Sequence, residues 1–115
     1  MKNKILDAIK GLEENGISNI NLLALVSNGS YEVVFYGDYQ GETYQSNEMA
    51  EKDIIGTNMV DDFYKKIATI IRESDDYLID KMNIVKCRKD GSVNISYDEK
   101  NCRVYKIKKE WKSSL

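Results

Sequence analysis

Two dipeptides, Asn28-Gly29 and Asp90-Gly91, do most to restrict what this chain can fold into. Each sits between runs of apolar and β-branched residues. Turns this short can join only antiparallel strands, because a parallel pair needs a crossover of a dozen residues or more. Asn-Gly is the strongest short hairpin signal, since both central residues of a type I′ turn need positive φ. The first hairpin is therefore expected to join the apolar run Ile20–Val26 to a strand over Tyr31–Tyr36. A second turn over Asp38–Gly41 leads into a short third strand, Glu42–Gln45. The later hairpin joins 83–88 to 92–97. Alternation there places Val85, Cys87, Val93, Ile95 and Tyr97 on a core face, and Lys86, Arg88, Ser92, Asn94 and Ser96 in water.

Helical periodicity fills the rest. Ile5, Ala8, Ile9 and Leu12 form one face of a helix over 3–14, with Gly16 as its stop. A polar connection is read from Ser46 to Gly56. Thr57 or Asn58 is expected to cap the next helix, with Asp61 and Asp62 near its positive end. Met59, Phe63, Ile67, Ile70 and Ile71 make its apolar stripe, which breaks at Asp75-Asp76 although Tyr77, Leu78 and Ile79 could extend it. Val104, Ile107 and Trp111 match helix spacing, and a terminal helix is favoured over an extended reading. The chain of 115 residues fits one domain, with no proline and no internal repeat to mark a linker. The expected fold is a single α+β domain over 1–115 in the order α-β-β-β-α-β-β-α. It is an antiparallel sheet of about five strands with helices packed on one face.

Composition removes much chemistry. There is no histidine, so the commonest general acid–base and the Ser-His and Cys-His pairs are absent. The seven glycines are scattered at turns, and no phosphate-cradling loop is present. The doublets Glu13-Glu14, Asp61-Asp62 and Asp75-Asp76 point about 100° apart on a helix and do not converge. They read as solvated helix ends. Cys87 and Cys102 read as two thiols and not as a disulfide, and two cysteines without histidine do not make a zinc site. No cofactor and no metal is expected. The start Met1-Lys2-Asn3-Lys4 opens like a signal peptide, but Asp7, Lys10, Glu13 and Glu14 break up the segment behind it. No apolar stretch reaches the roughly 20 residues of a membrane span. A cytoplasmic protein with no membrane partner is expected.

Charge and tyrosine placement carry the functional reading. Residues 31–80 hold twelve acids against four bases, and 100–115 hold six bases against Glu110. The acidic middle should attract a basic partner and repel nucleic acid. Tyr31, Tyr36, Tyr39 and Tyr44 crowd the meander beside Asp38 and Glu42. Tyrosine gives large contact area and tolerates a wet rim, and interface hot spots favour it. Half of these tyrosines should simply pack on the sheet, Tyr36 and Tyr44 first among them. The candidate contact surface is Asp38, Tyr39, Glu42, Asp61 and Asp62. A rival reading gives the basic C-terminal segment, with Tyr105 and Trp111 among its lysines, to RNA binding by charge and stacking. The same composition describes a helix with lysines outward and Val104, Ile107 and Trp111 inward, which is favoured.

The segment Gly91-Ser92-Val93-Asn94-Ile95-Ser96-Tyr97-Asp98, followed by a terminal element with Ile107 and Trp111, resembles the YezG-like immunity proteins. Glu32-Val33-Val34-Phe35-Tyr36 and the order of elements add to the likeness. Immunity proteins of contact-dependent growth inhibition form a broader class that the chain also resembles. The resemblance implies a non-enzymatic bacterial antitoxin that binds one cognate toxin acting in the cytoplasm, often a nuclease. Nuclease active sites are basic because they hold phosphate, so an acidic, tyrosine-bearing inhibitor could cover one.

Overall fold

The computed structural model describes residues Met1–Leu115. Along the chain run α1 (Lys2–Glu13), β1 (Ser18–Ser27), β2 (Ser30–Tyr39), β3 (Glu42–Gln45), α2 (Ser46–Glu51), α3 (Thr57–Arg72), β4 (Lys81–Cys87), β5 (Val93–Glu99) and α4 (Val104–Ser113). The strands form one antiparallel sheet in the order β3-β2-β1-β4-β5.

Strand β1 lies at the centre and is buried on both sides. Leu22, Ala24 and Val26 join Phe35, Val85, Cys87 and the inward faces of α1, α2 and α3 in a core of 21 residues. Leu23 and Leu25 point the other way, into a core of six completed by Val34, Met82, Ile84 and Trp111. Burial on both faces is why Ile20–Val26 reads as a continuous apolar run and shows no alternation. The expected α+β domain, with five antiparallel strands and helices packed on one face, describes the sheet with α1–α3. Helix α4 adds a cover on the opposite face: Trp111 is buried there, and Val104 and Ile107 pack beside it.

Several local expectations change. The polar connection after β3 contains a helix, α2. Its N-terminus is closed by a reciprocal box in which Gln45 caps the N3 amide and Glu48 accepts from the Gln45 N–H at 3.1 Å. Gly56, not Thr57 or Asn58, is the N-cap of α3, so Asp61 and Asp62 fall one turn inside the helix and away from its positive end. The helix stops at Arg72 and does not extend through Tyr77–Ile79. The Arg72 guanidinium instead donates to the carbonyls of Ser27 and Ser30 at 2.9 and 3.0 Å, tying α3 to the first hairpin.

In that hairpin only Gly29 takes positive φ, at 124°. The turn with positive φ at both central positions is Gln40-Gly41, at 50° and 85°. The later hairpin is longer than expected, and Met82 and Ile84, which precede Val85 on the opposite phase of the strand, are buried against α4. Tyr97 is 40% exposed and donates to the Asp76 carbonyl. Cys87 belongs to the larger core and Cys102 packs on the smaller one, so the sheet separates two free thiols. No helix is long and apolar enough to cross a membrane.

Candidate functional site

The β2–β3 pairing sets Tyr39 opposite Glu42 and Gly37 opposite Tyr44. Directly paired residues share a face, so Tyr39, Glu42 and Tyr44 all lie on the helical side of the sheet edge. The Tyr44 hydroxyl donates to Glu42 Oε2 at 2.7 Å. The capping box of α2 brings Glu48 to the same place. The hydrogen bond to Glu42, then desolvation, and then the charges of Glu42 and Glu48 raise the Tyr44 phenol above its ordinary value. One cation is near, the Lys52 ammonium, 6.0 Å from the Tyr44 ring centre. The result is a phenol–carboxylate cluster on a short edge strand.

Helix α2 links this cluster to α3. Ser46 is fully buried, receives the Phe35 N–H at 3.3 Å, and shares a short hydrogen bond with the Tyr64 hydroxyl. Burial pushes the Tyr64 phenol up, the Ser46 bond opposes this, and the charge of Asp61 adds to the rise. Asp61 therefore stands near Tyr64, on α3.

Asp38 goes elsewhere. It pairs with Thr43, and both project to the α4 side of the sheet, opposite Tyr39 and Glu42. Thr43 Oγ1 donates to it at 2.6 Å and Asn19 Nδ2 at 2.8 Å. These two bonds, Thr43 first, hold the Asp38 carboxyl below the usual carboxylate range, with a further contribution from Lys89. Asn19 reaches it because β1 bulges between Ser18 and Asn21, where Asn19 takes φ 52°. Asp38 lines a groove of about 400 Å³ with Asn21, Lys89 and Lys112, a mixed-charge surface.

Of the five residues singled out from sequence, the structure thus brings Tyr39 and Glu42 together. It sets Asp61 near Tyr64 on α3, sends Asp38 to the other face, and leaves Asp62 exposed on α3 with no hydrogen bond or ion pair joining it to the rest. Sequence reasoning passed over Glu48; it expected Tyr44 to pack on the sheet, and Tyr44 does pack against the larger core while its hydroxyl also reaches Glu42. The signal for Glu48 was the Gln45-to-Glu48 spacing, which places a carboxylate at N3 of an unrecognised helix.

Charge is also sorted by face. Residues 46–80, which form α2, α3 and the turn after it, carry nine acids and four bases. The six bases of 100–115 sit on or next to α4, across the sheet. No three His, Cys, Asp or Glu side chains cluster closely enough to hold a metal ion. The arrangement offers hydrogen-bond acceptors, negative charge and aromatic area. No protein-family model matches the chain, and no curated protein matches it.

Proposed function

We propose that this chain is a non-enzymatic immunity protein that binds and neutralises a cognate bacterial toxin, a nuclease-type domain with a basic surface, in the cytoplasm. The observation that carries the reading is the Tyr39–Glu42–Tyr44–Glu48 cluster. Two carboxylates are held beside two phenols on the rim of an acidic face, with Lys52 the one cation beside them. Such a surface attracts a phosphate-binding site from a distance and then meets it with aromatic contact. The likeness of 91–98 to YezG-like immunity proteins supports the same reading.

Co-expressing the chain with the toxin encoded beside its gene tests the class: protection of the cells is expected, and its absence ends the proposal. Reversing both charges, Glu42→Lys with Glu48→Lys, should slow association with the toxin domain by about tenfold or more at low salt, with a smaller effect at high salt. An unchanged association rate would move the interface off this edge.

One observation favours a second reading. Of the eight tyrosines, Tyr105 is the most exposed, at 78%, with no hydrogen bond or packed ring, and Arg103, Lys106 and Lys109 surround it. An exposed ring among cations is the composition of a single-strand nucleic-acid platform. A salt titration with oligonucleotides decides: affinity near 0.15 M salt no better than about 10⁻⁴–10⁻⁶ M removes it.

A further inference from the structure

We infer that the outer edge of β5 docks a second copy of this chain, joining two five-stranded sheets through an antiparallel β5–β5 pair. The two edges of the sheet are not alike. Strand β3 is four residues long and runs directly into α2. Strand β5 is seven residues, Val93–Glu99, in unbroken register with β4, and contains no proline, lysine or bulge. Natural proteins blunt such an edge with these devices, with charged side chains, or by covering it, and on β5 the only charges are the two acids at its C-terminal end. Here Asn94, Ser96, Tyr97, Asp98 and Glu99 are exposed, and β4 is the one element in extensive contact with the strand.

The phase of the ladder shows which groups wait at that edge. The Arg88 N–H donates to the Ser92 carbonyl at 2.9 Å. Hydrogen-bonded pairs in an antiparallel ladder alternate, so Ser92, Asn94, Ser96 and Asp98 turn their backbone groups toward β4. The N–H and C=O groups of Val93, Ile95, Tyr97 and Glu99 therefore point outward. The Glu99 amide takes the carboxylate of its own neighbour, Asp98, at 2.8 Å, as an amide without a strand partner does. Val93, Ile95 and Tyr97 have no side-chain acceptor for theirs.

The sequence of the strand selects its occupant. Both of its acids, Asp98 and Glu99, lie at the C-terminal end, and Arg88 and Lys89 enter the turn at the other. A parallel copy would stack the acids on one another, whereas an antiparallel copy sets each acidic end against the uncharged start of its mate. With the two-fold axis at Ser96, Ile95 faces Tyr97 of the second copy and Asn94 faces its Asp98. These are a β-branched–aromatic pair and an amide–carboxylate hydrogen bond, both favourable across strands. The four outward residues then pair with one another, since 93 meets 99 and 95 meets 97. The closed dimer leaves only the two short β3 edges free. Because β3 and β5 end opposite sides of the sheet, both acidic edges stay open in the dimer.

Sedimentation of the full chain over a range of concentrations tests this. The wild type should pass from monomer to dimer as concentration rises. Ser96 is exposed, so Ser96→Lys leaves the fold intact, as circular dichroism would verify, but it sets two ammonium groups face to face on the axis. Dimerisation of S96K should weaken by at least about tenfold. S96E should behave alike, and an equal mixture of S96K and S96E should form a heterodimer. A wild type that stays monomeric at every concentration, an S96K dimer as tight as the wild type, or a mixture that fails to pair would each overturn the proposal.

Discussion

Trp111 is the only tryptophan and the single buried residue of α4, so removing it asks what holds the second face of the sheet together. It is 5% exposed, packs on Leu23, Leu25, Val34, Met82 and Ile84, and lies 5.7 Å from the Tyr36 ring. A buried tryptophan covers about 150–250 Å², which at about 25 cal/mol/Å² is worth about 4–6 kcal/mol. Measured truncations of tryptophan to alanine cost about 3–5 kcal/mol. Val104 and Ile107 are only partly buried and cannot hold the helix alone. Trp111→Ala should therefore cost about 3–5 kcal/mol and release α4, while the larger core on the other face keeps the domain folded. Urea unfolding followed by far-ultraviolet circular dichroism checks this. The m-value should fall as well, because a native state with α4 undocked has less surface left to expose. Trp111→Phe should recover much of the loss. A cost below about 1 kcal/mol with an unchanged m-value would refute the view that one side chain anchors this helix.

Three further outcomes rest on single contacts. A methyl group on Gly37 would stand 2.5 Å from Ile17 Cγ2, so Gly37→Ala should destabilise by about 1–3 kcal/mol in the same unfolding assay, and a neutral change would show that Ile17 can yield freely. Asn83 is fully buried, donates to the carbonyls of Val26, Leu78 and Lys81, and accepts the Leu78 N–H at 2.9 Å. Asn83→Ala should cost about 2–3 kcal/mol and deprotect the Leu78 amide in hydrogen exchange, and retained protection would argue against this role. The Asp38 pKa is lowered in the folded state, so its contribution to stability is present above the ordinary carboxylate value of about 3.9 and is lost as pH falls through the lower folded value. Thr43→Val removes the largest cause and should raise the Asp38 midpoint in a carboxyl-carbon NMR titration; an unmoved midpoint would contradict the assignment.

The elements legible in the sequence are those that local physics decides. The stripe Ile5-Ala8-Ile9-Leu12 and the spacing of Val104, Ile107 and Trp111 each specified a helix, because the period of apolar residues is a property of the segment. The short turns specified antiparallel pairing for the same reason, and with it the order of the elements. Helix α2 escaped notice because its six residues, Ser46–Glu51, bury only Ser46 and Met49, too few to write a period.

Faces were a different matter. Alternation says that neighbouring residues point to opposite sides, but it does not say which side a distant helix will cover. Asp38, Tyr39 and Glu42 are close in sequence, yet the pleat turns Asp38 toward α4 and the other two toward α2. Glu48 joins them only because a cap orients it. Chain composition alone told us that acids fill the middle and bases the end. That the acids of α2 and α3 lie across the sheet from the bases of α4, while Glu32 pairs with Lys108 at 2.8 Å on the α4 side, depends on α4 crossing the face that α1–α3 leave open. Contacts such as Trp111 on Leu23 and Leu25, which join the two ends of the chain, settle it only once the chain has folded.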